Sequence, residues 1–75
     1  MAELITFIAQ SLVDHPEAVS VKEIEGADSI IVELRVASED MGKVIGKQGR
    51  IAKAIRAVVK AATVKNTKPV FLEIM

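Results

Sequence analysis

The sequence predicts a small α+β domain with the element order α-β-β-α-α-β. Two segments repeat their apolar residues with the period of an α-helix, one at the start of the chain and one after residue 50. Residues 29–37 and 70–74 alternate apolar and polar side chains as strands do. A chain of 75 residues provides one modest core. We therefore expect residues 1–75 to form a single domain without a linker or an internal repeat.

The first forty residues predict one helix followed by a β-hairpin. The helix is expected to be amphipathic, with an apolar side formed by Leu4, Ile5, Ile8 and Leu12. It ends before Pro16, because a residue that precedes proline avoids the α region. Residues 19–24 and 29–37 are predicted to be strands that pair across a Gly-Ala-Asp turn at 26–28. One face of the second strand is apolar, with Ile30, Val32, Leu34 and Val36.

The second half predicts a short helix, a longer helix and a last strand. Ser38 is expected to cap the short helix, with Glu39 and Asp40 favourable at its positive end. Glycines at 46 and 49 interrupt that helix, and the longer helix follows them. Its predicted apolar side contains Ile51, Ile55, Val58 and Ala62. Its predicted basic side contains Arg50, Lys53, Arg56 and Lys60. Residues 65–69 form a loop before the last strand.

Charge is segregated along the chain, although the formal net charge is zero. Residues 1–40 contain nine acidic and two basic side chains, a balance of −7. Residues 41–72 contain eight basic side chains and no acidic one, a balance of +8. Such a run creates a local positive field that the average conceals. On charge alone two interpretations stay open: an anion-binding surface, or a solvated basic face answered by acidic strands nearby.

The composition argues against most catalytic and metal chemistry. The chain has no Cys, Trp or Tyr and a single His, which excludes disulfides, thiolate zinc sites and a Cys nucleophile. We expect no enzyme activity, no metal and no cofactor. The N-terminus carries Glu3, lacks a basic region and a cleavage site, and has too short an apolar run to span a membrane. We therefore expect a cytoplasmic protein without membrane insertion.

The segment that separates the two later helices predicts a phosphate-binding loop. Gly46 and Gly49 permit unusual backbone angles and close approach of a ligand. The N–H groups that begin the following helix favour an anion, and Lys47 and Arg50 add positive charge there. Two glycines at this spacing also suit a helix connection that binds nothing. Three neighbouring features favour the ligand-binding interpretation here: the aliphatic pair before the loop, the basic helix side after it and the element order.

A nucleotide-hydrolysing P-loop does not fit this segment. Residues 42–48 read Gly-Lys-Val-Ile-Gly-Lys-Gln, with one residue too few between the glycines. Gln48 occupies the place where that motif needs Ser or Thr to hold magnesium. A short helix, not a strand, precedes the loop.

The motif resembles the signature of the KH domain, here Val44-Ile45-Gly46-Lys47-Gln48-Gly49-Arg50-Ile51. KH domains clamp a nucleic-acid backbone with a GxxG loop. The α-β-β-α-α-β order is similar to the type II KH fold, which implies a three-stranded mixed sheet with the helices packed on one face. The resemblance covers nearly the whole chain. A free-standing domain of this length resembles the KhpA family of small bacterial RNA-binding proteins with a single KH domain.

This resemblance implies a non-catalytic protein that binds single-stranded RNA. The two glycines would allow close approach of the RNA backbone, and Lys47, Gln48 and Arg50 would meet phosphates. Val44 and Ile45 have two interpretations, an apolar floor under the bases or part of the core. The complete set of expected RNA-binding residues is Lys43, Val44, Ile45, Gly46, Lys47, Gln48, Gly49, Arg50 and Lys53.

The scarcity of aromatic residues is compatible with this type of domain. RRM and OB-type proteins stack bases on aromatic side chains, whereas a KH groove can use aliphatic contacts. Phe7 and Phe71 are the only aromatic residues, and both fall in apolar patterns that predict core positions. His15, before a proline, is expected to be a surface residue without a role.

A partner is also expected, because one KH groove contacts few nucleotides and a second module would raise the effective concentration. The family resemblance implies a homodimer, or a heterodimer with a larger KH-containing protein of the KhpB kind. It also implies RNA chaperoning or post-transcriptional regulation linked to cell-wall synthesis and cell length. An alternative stays open, in which the fold serves mainly as a protein-interaction module and binds RNA weakly.

Overall fold

A computed structural model of the chain describes all 75 residues. The helices are α1 (Ala2–Leu12), α2 (Met41–Ile45) and α3 (Arg50–Ala62). The strands are β1 (Ser20–Glu25), β2 (Ile30–Arg35) and β3 (Val70–Ile74). Short 3₁₀ turns occupy Pro16–Ala18, Ser38–Asp40 and Lys47–Gly49. The predicted element order is confirmed. None of the helices has the length and hydropathy needed to cross a membrane.

The three strands form one mixed sheet in the order β1-β2-β3. Strands β1 and β2 are antiparallel, with Val21 opposite Leu34, so the predicted hairpin is confirmed. Strands β2 and β3 are parallel, with Val32 beside Leu72. Parallel strands need a crossover connection, and α2 and α3 form it. Strand β3 therefore lies at an edge of the sheet, and its outer side has no strand partner.

The core lies between one face of the sheet and the helices α1 and α3. Both helices and the two strands β2 and β3 contribute side chains to it, and the fully or nearly fully buried members are Ile5, Ala9, Val32, Leu34, Ile55, Val59 and Leu72. This arrangement is the α+β, type II KH-like fold that the element order predicts.

The apolar sides of α1 and α3 are only partly buried, which corrects the predicted stripes. On α3 the buried residues are Ala52, Ile55 and Val59, whereas Val58 is 39% exposed. On α1 the buried residues are Ile5 and Ala9. Helical periodicity identifies a broad apolar arc but does not show which part of it faces the sheet. The remaining part of both arcs stays at the surface.

Neither phenylalanine belongs to the core, so that expectation is wrong. Phe71 is 56% exposed and lies beside Ile31 in the parallel pair, on the sheet face that the helices leave open. The alternation of β3 explains this position, because the neighbouring Leu72 points into the core and Phe71 must point away. Phe7 is 69% exposed on α1.

Candidate nucleic-acid interface

The loop of residues 46–49, called the glycine loop below, connects α2 to α3 through unusual backbone angles. Three of its four residues have positive φ: Gly46 at 76°, Gln48 at 58° and Gly49 at 73°. Glycine adopts such angles without a steric penalty, which explains two of the three positions. Gln48 is the exception, since a residue with a side chain loses on the order of 1 kcal/mol in this conformation.

The two glycines are needed for different reasons. A β-carbon at Gly46 would lie 2.6 Å from Cγ1 of Ile51, so the missing side chain of Gly46 accommodates the chain's own packing. A β-carbon at Gly49 would meet nothing within 4 Å. The bare α-carbon that faces open space, where a ligand could approach closely, is therefore that of Gly49.

The basic side of α3 is exposed as the sequence predicts. Arg50, Lys53, Arg56 and Lys60 are all at the surface, as are Lys47 and Gln48 in the glycine loop. The Arg50 guanidinium donates a hydrogen bond to Oε1 of Gln48 at 3.1 Å, which joins two of the expected phosphate contacts. None of these cations forms a salt bridge with a carboxylate, so their charge is not neutralised within the chain.

Only two of the eight basic residues in 41–72 are paired with acidic residues. Lys68 Nζ lies 2.7 Å from Oε2 of Glu25 and donates to the carbonyl of Gly26 at 2.9 Å. Lys43 pairs with Asp14 and Asp40. An acidic strand thus neutralises only Lys68, through Glu25 of β1, and acidic residues outside the strands pair with Lys43. The cations of the loop and of α3 stay unpaired.

Lys43, an expected RNA contact, has its ammonium engaged within the protein. Its Nζ forms an ion pair with Asp14 and lies 3.4 Å from Oδ1 of Asp40. The hydrogen bond to Asp14 raises the pKa of Lys43, partial burial opposes this, and Asp40 raises the pKa further. The charge of Lys43 is therefore partly compensated, unlike that of Lys47.

The two aliphatic residues before the glycine loop, Val44 and Ile45, differ in burial. The first belongs to the core, and the second has exposed surface that a base could contact. Val44 is completely buried, so its side chain has no surface with which to touch a ligand. Ile45 is 38% exposed at the end of α2. Of the pair, only Ile45 remains available as an apolar contact beside the loop.

The prediction that Ser38 caps α2 is wrong, and the nearby Asp40 carboxylate binds backbone N–H groups elsewhere in the chain. Ser38 Oγ donates to Oε1 of Glu39 at 2.9 Å, and no side chain caps the first turn of α2. The Asp40 carboxylate turns away from that turn and accepts backbone N–H bonds from Asp14 and His15. His15 therefore has a structural role through its backbone, which the sequence did not indicate.

A groove lies between the second half of α3 and strand β3, and the KH resemblance implies a groove of this kind beside a strand edge. It has a volume of about 520 Å³, Arg56 and Lys60 line one wall, and Val70 and Leu72 line the other. The alternating pattern of β3 was visible in the sequence, but its position at the sheet edge beside α3 was not. The groove joins an apolar strand to the basic side of the helix.

A second groove, mainly apolar, lies between α1 and α3. It is lined by Ile8, Leu12, Ile51, Ala54, Ile55 and Val58, with Arg50 as its only charged residue. Apart from Ile55, which also belongs to the core, these residues are the parts of the two helices that the sheet does not cover. No group of three or more acidic or histidine side chains is arranged to hold a metal ion.

Comparison with known proteins agrees with this geometry. The sequence profile of the KhpA/KhpB KH domain matches residues 2–74. Over 75 residues the chain is 65% identical to the RNA-binding protein KhpA of Clostridium perfringens and 64% identical to that of Caldanaerobacter subterraneus, with full coverage of both. It is 55% identical to the RNA-binding protein KhpA of Listeria monocytogenes and covers 99% of it. No solved structure gives a significant match.

Proposed function

The chain belongs to the KhpA/KhpB family of KH-domain proteins, and from this membership we propose that it binds single-stranded RNA without catalysing a reaction. The observation that carries the proposal is a continuous series of unpaired cations from Lys47 to Lys60 that begins at a loop with positive φ angles. The five cations of this series, Lys47, Arg50, Lys53, Arg56 and Lys60, have no carboxylate partner within the chain, so their charge is available to a ligand. Phosphates are the natural counter-charge.

The RNA backbone would enter at the glycine loop and follow α3. Gly49 leaves open space for a phosphate, and the first N–H groups of α3 favour an anion there. Lys47 and the Arg50–Gln48 pair would contact the first phosphates. From Arg50 to Lys60 the basic side extends about 15 Å along the helix axis, at the rise of an α-helix. Lys53 lies on this track.

The bases would occupy the groove between α3 and β3. Its wall of aliphatic side chains and the free edge of β3 offer apolar contacts and backbone hydrogen-bonding groups. Bases can enter such a groove only when they are unpaired, which favours single-stranded RNA over a duplex. Ile45, exposed beside the loop, would extend the apolar surface.

The first test is fluorescence anisotropy of a labelled single-stranded RNA pool with a loop variant, Lys47→Asp with Gln48→Asp. Both side chains are exposed, and Asp tolerates the left-handed conformation at position 48, so the fold should survive. The control is Ser20→Glu with Lys22→Glu on the exposed surface of β1, which makes the same change of formal charge outside the loop. We expect the loop variant to lose binding and the control to keep it. A folded loop variant with wild-type affinity would exclude the glycine loop as the site.

Salt dependence provides a second test of the same proposal. For single strands, log K falls with log salt by about 0.7 per phosphate contacted, so three or four contacts give a slope of roughly −2 to −3. A slope near zero would contradict an interface based on Lys47 and the basic side of α3.

We further propose that the protein pairs with a second KH module, either another copy or a larger KH-containing partner of the KhpB kind. The apolar groove between α1 and α3 supports this proposal, because Leu12 and Val58 leave apolar surface exposed there. The same observation favours the alternative in which the fold acts mainly as an interaction module.

Sedimentation at micromolar concentration shows whether the protein is a dimer or a monomer, and so tests the proposed pairing. Val58→Glu should convert a dimer to monomers, whereas Ala57→Glu, which does not line the groove, should leave the dimer intact. A wild-type monomer that binds RNA with measurable affinity would contradict the dimer and the interaction-module alternative together.

The cellular role that we propose is cytoplasmic RNA chaperoning or post-transcriptional regulation, linked to cell-wall synthesis and cell length. The family resemblance supports this part of the proposal. Chaperone activity predicts faster annealing of complementary RNA strands in the presence of the protein, and no acceleration would contradict it. A role in cell length predicts that deletion of the gene changes cell length, with restoration by the wild-type protein and not by the loop variant.

A further inference from the structure

Asp40 is the one polar side chain that is fully buried. Its Oδ2 accepts a hydrogen bond from the backbone N–H of His15 at 2.9 Å, and its Oδ1 accepts one from that of Asp14 at 3.2 Å. Hydrogen bonds to an ionised acceptor are stronger than neutral ones. We call this arrangement, the Asp40 carboxylate with the two N–H groups, the Asp40 clamp. It ties the residue before α2 to the connection between α1 and β1.

Burial of a carboxylate requires that its bonding partners be held in place, since an unpaired buried charge is strongly unfavourable. Both oxygens of Asp40 are satisfied, and no buried side-chain polar atom lacks a partner. Lys43, one turn along α2, contacts both Asp40 and Asp14 and adds a second link between the same two segments. The clamp is thus well defined in geometry.

The clamp acts on α2, and α2 ends at the glycine loop. A helix of five residues is about 7.5 Å long and cannot hold its own conformation. It also has no side-chain cap at its N-terminus. Two buried side chains fix it instead, Asp40 immediately before its first residue and Val44 in its last turn. Gly46 follows directly, so the position of the loop depends on both.

We propose that Asp40 is a positioning residue for RNA binding, which acts through α2 on the glycine loop and does not itself contact RNA. The proposal rests on the RNA-binding function proposed above. A carboxylate without exposed surface cannot touch RNA, and its charge would repel phosphates rather than attract them. Its contribution to affinity must therefore come from where it holds α2 and the loop.

Two substitutions separate positioning from charge. Asp40→Asn keeps one accepting oxygen but places an amide NH₂ where the other oxygen accepted a backbone N–H, so it breaks one of the two hydrogen bonds of the clamp. Asp14→Asn removes the same formal charge beside Lys43 but leaves the Asp14 backbone N–H in place. The measurements are RNA affinity, at a temperature where each variant is fully folded, and the backbone amide NMR resonances of residues 46–49.

We expect Asp40→Asn to bind RNA at least about fivefold more weakly, the lower end of typical coupling between distant sites. Its glycine-loop resonances should shift or broaden. Asp14→Asn should bind as tightly as the wild type or more tightly, because an exposed ion pair holds the two segments only weakly and its loss leaves Lys43 paired with Asp40 alone. A folded Asp40→Asn with wild-type affinity and unchanged loop resonances would overturn the proposal. Tighter binding by both variants would overturn it too, since the carboxylates would then act only by charge.

Hydrogen exchange of the wild-type protein tests the clamp if Asp40→Asn does not fold. The His15 amide should open no more easily than the Gly46 amide, which bonds to Gly42 at the end of α2. A His15 amide that opens at clearly lower free energy than that of Gly46 would mean that the loop does not depend on the clamp. If the wild type bound no RNA, the proposed function alone would fail, and the loop resonances of Asp40→Asn would still decide whether the clamp positions the loop.

Discussion

The α-carbon of Gly46 packs against the side chain of Ile51. A β-carbon on Gly46 would lie 2.6 Å from Cγ1 and 2.9 Å from Cβ of Ile51, distances that no side chain can occupy without a shift. The first glycine of the motif and the aliphatic residue at the start of α3 therefore form one contact. This contact closes the glycine loop from one side, while Asp40 and Val44 hold α2 from the other.

Alanine substitutions should distinguish the two glycines. Gly46→Ala combines a steric overlap with angles near φ 76° and ψ 172°, a region essentially limited to glycine. We expect a loss of about 3 kcal/mol or more in the free energy of unfolding. Gly49→Ala faces open space and should lose about 1–2 kcal/mol from its positive φ alone. Urea denaturation measures both, and equal losses would contradict the internal packing role of Gly46.

Substitutions at Gln48 should report its left-handed backbone. Asn adopts this conformation more readily than other residues with side chains, so Gln48→Asn should change the free energy of unfolding by less than about 1 kcal/mol. Gln48→Val should destabilise the protein by about 1–2 kcal/mol, because a β-branched residue fits this region poorly. Both can be followed by thermal and urea denaturation. A Val variant as stable as the Asn variant would be incompatible with a φ of 58°.

Neighbouring residues of β3 should respond in opposite ways to truncation. Phe71→Ala removes a side chain that is mostly exposed on the open face of the sheet, and we expect a loss below about 1 kcal/mol. Leu72→Ala creates a cavity in the core and should cost about 2–5 kcal/mol. Comparable losses for the two variants would mean that another element covers Phe71.

Stability should fall at acid pH because the fold lowers the pKa of three carboxyl groups. One of them is Glu39, whose pKa is lowered by hydrogen bonds from its own backbone N–H and from Ser38; the others are Asp40 and Glu25. Burial raises the pKa of Asp40, but hydrogen bonds from the N–H groups of Asp14 and His15 and from Lys43 lower it more. The hydrogen bond and the charge of Lys68 lower the pKa of Glu25. In all three groups the folded-state pKa lies below the unfolded value. The stabilisation is therefore fully present above the unfolded pKa and is lost as pH falls through the folded pKa.

The ordinary values are 4.5 for Glu25 and 3.8 for Asp40, so the decline should begin near pH 4.5 and continue below pH 3.8. Urea denaturation at a series of pH values from neutral downward measures this decline in the free energy of unfolding. Glu25→Gln should remove only the small part due to the exposed pair with Lys68. A free energy of unfolding that stays constant below pH 3.8 would show that Asp40 is not held as a carboxylate.

Much of the architecture depends on residues that are close in sequence. The helical periodicity and the alternation in β2 and β3 predicted the element order, and the two glycines predicted the position of the loop. Glycine chemistry at 46 and 49 accounts for two of its three positive φ angles without a distant contact, whereas the left-handed backbone of Gln48 was not predicted. The separation of charge between the two halves of the chain was also readable from the sequence.

The features that could not be predicted from the sequence depend on contacts between residues that are distant in the chain. His15 and Asp40 are 25 residues apart, and Lys68 and Glu25 are 43 apart, so no local pattern predicts that these groups meet. The edge position of β3, which forms the groove beside α3, follows from parallel pairing with β2 across a crossover. Likewise, the sheet covers only part of the apolar arc of α3, which leaves Val58 exposed, and Phe71 is exposed because the helices cover only the other face of the sheet. Periodicity and backbone preference act within one element, whereas pairing, burial and neutralisation of charge require two elements to come together.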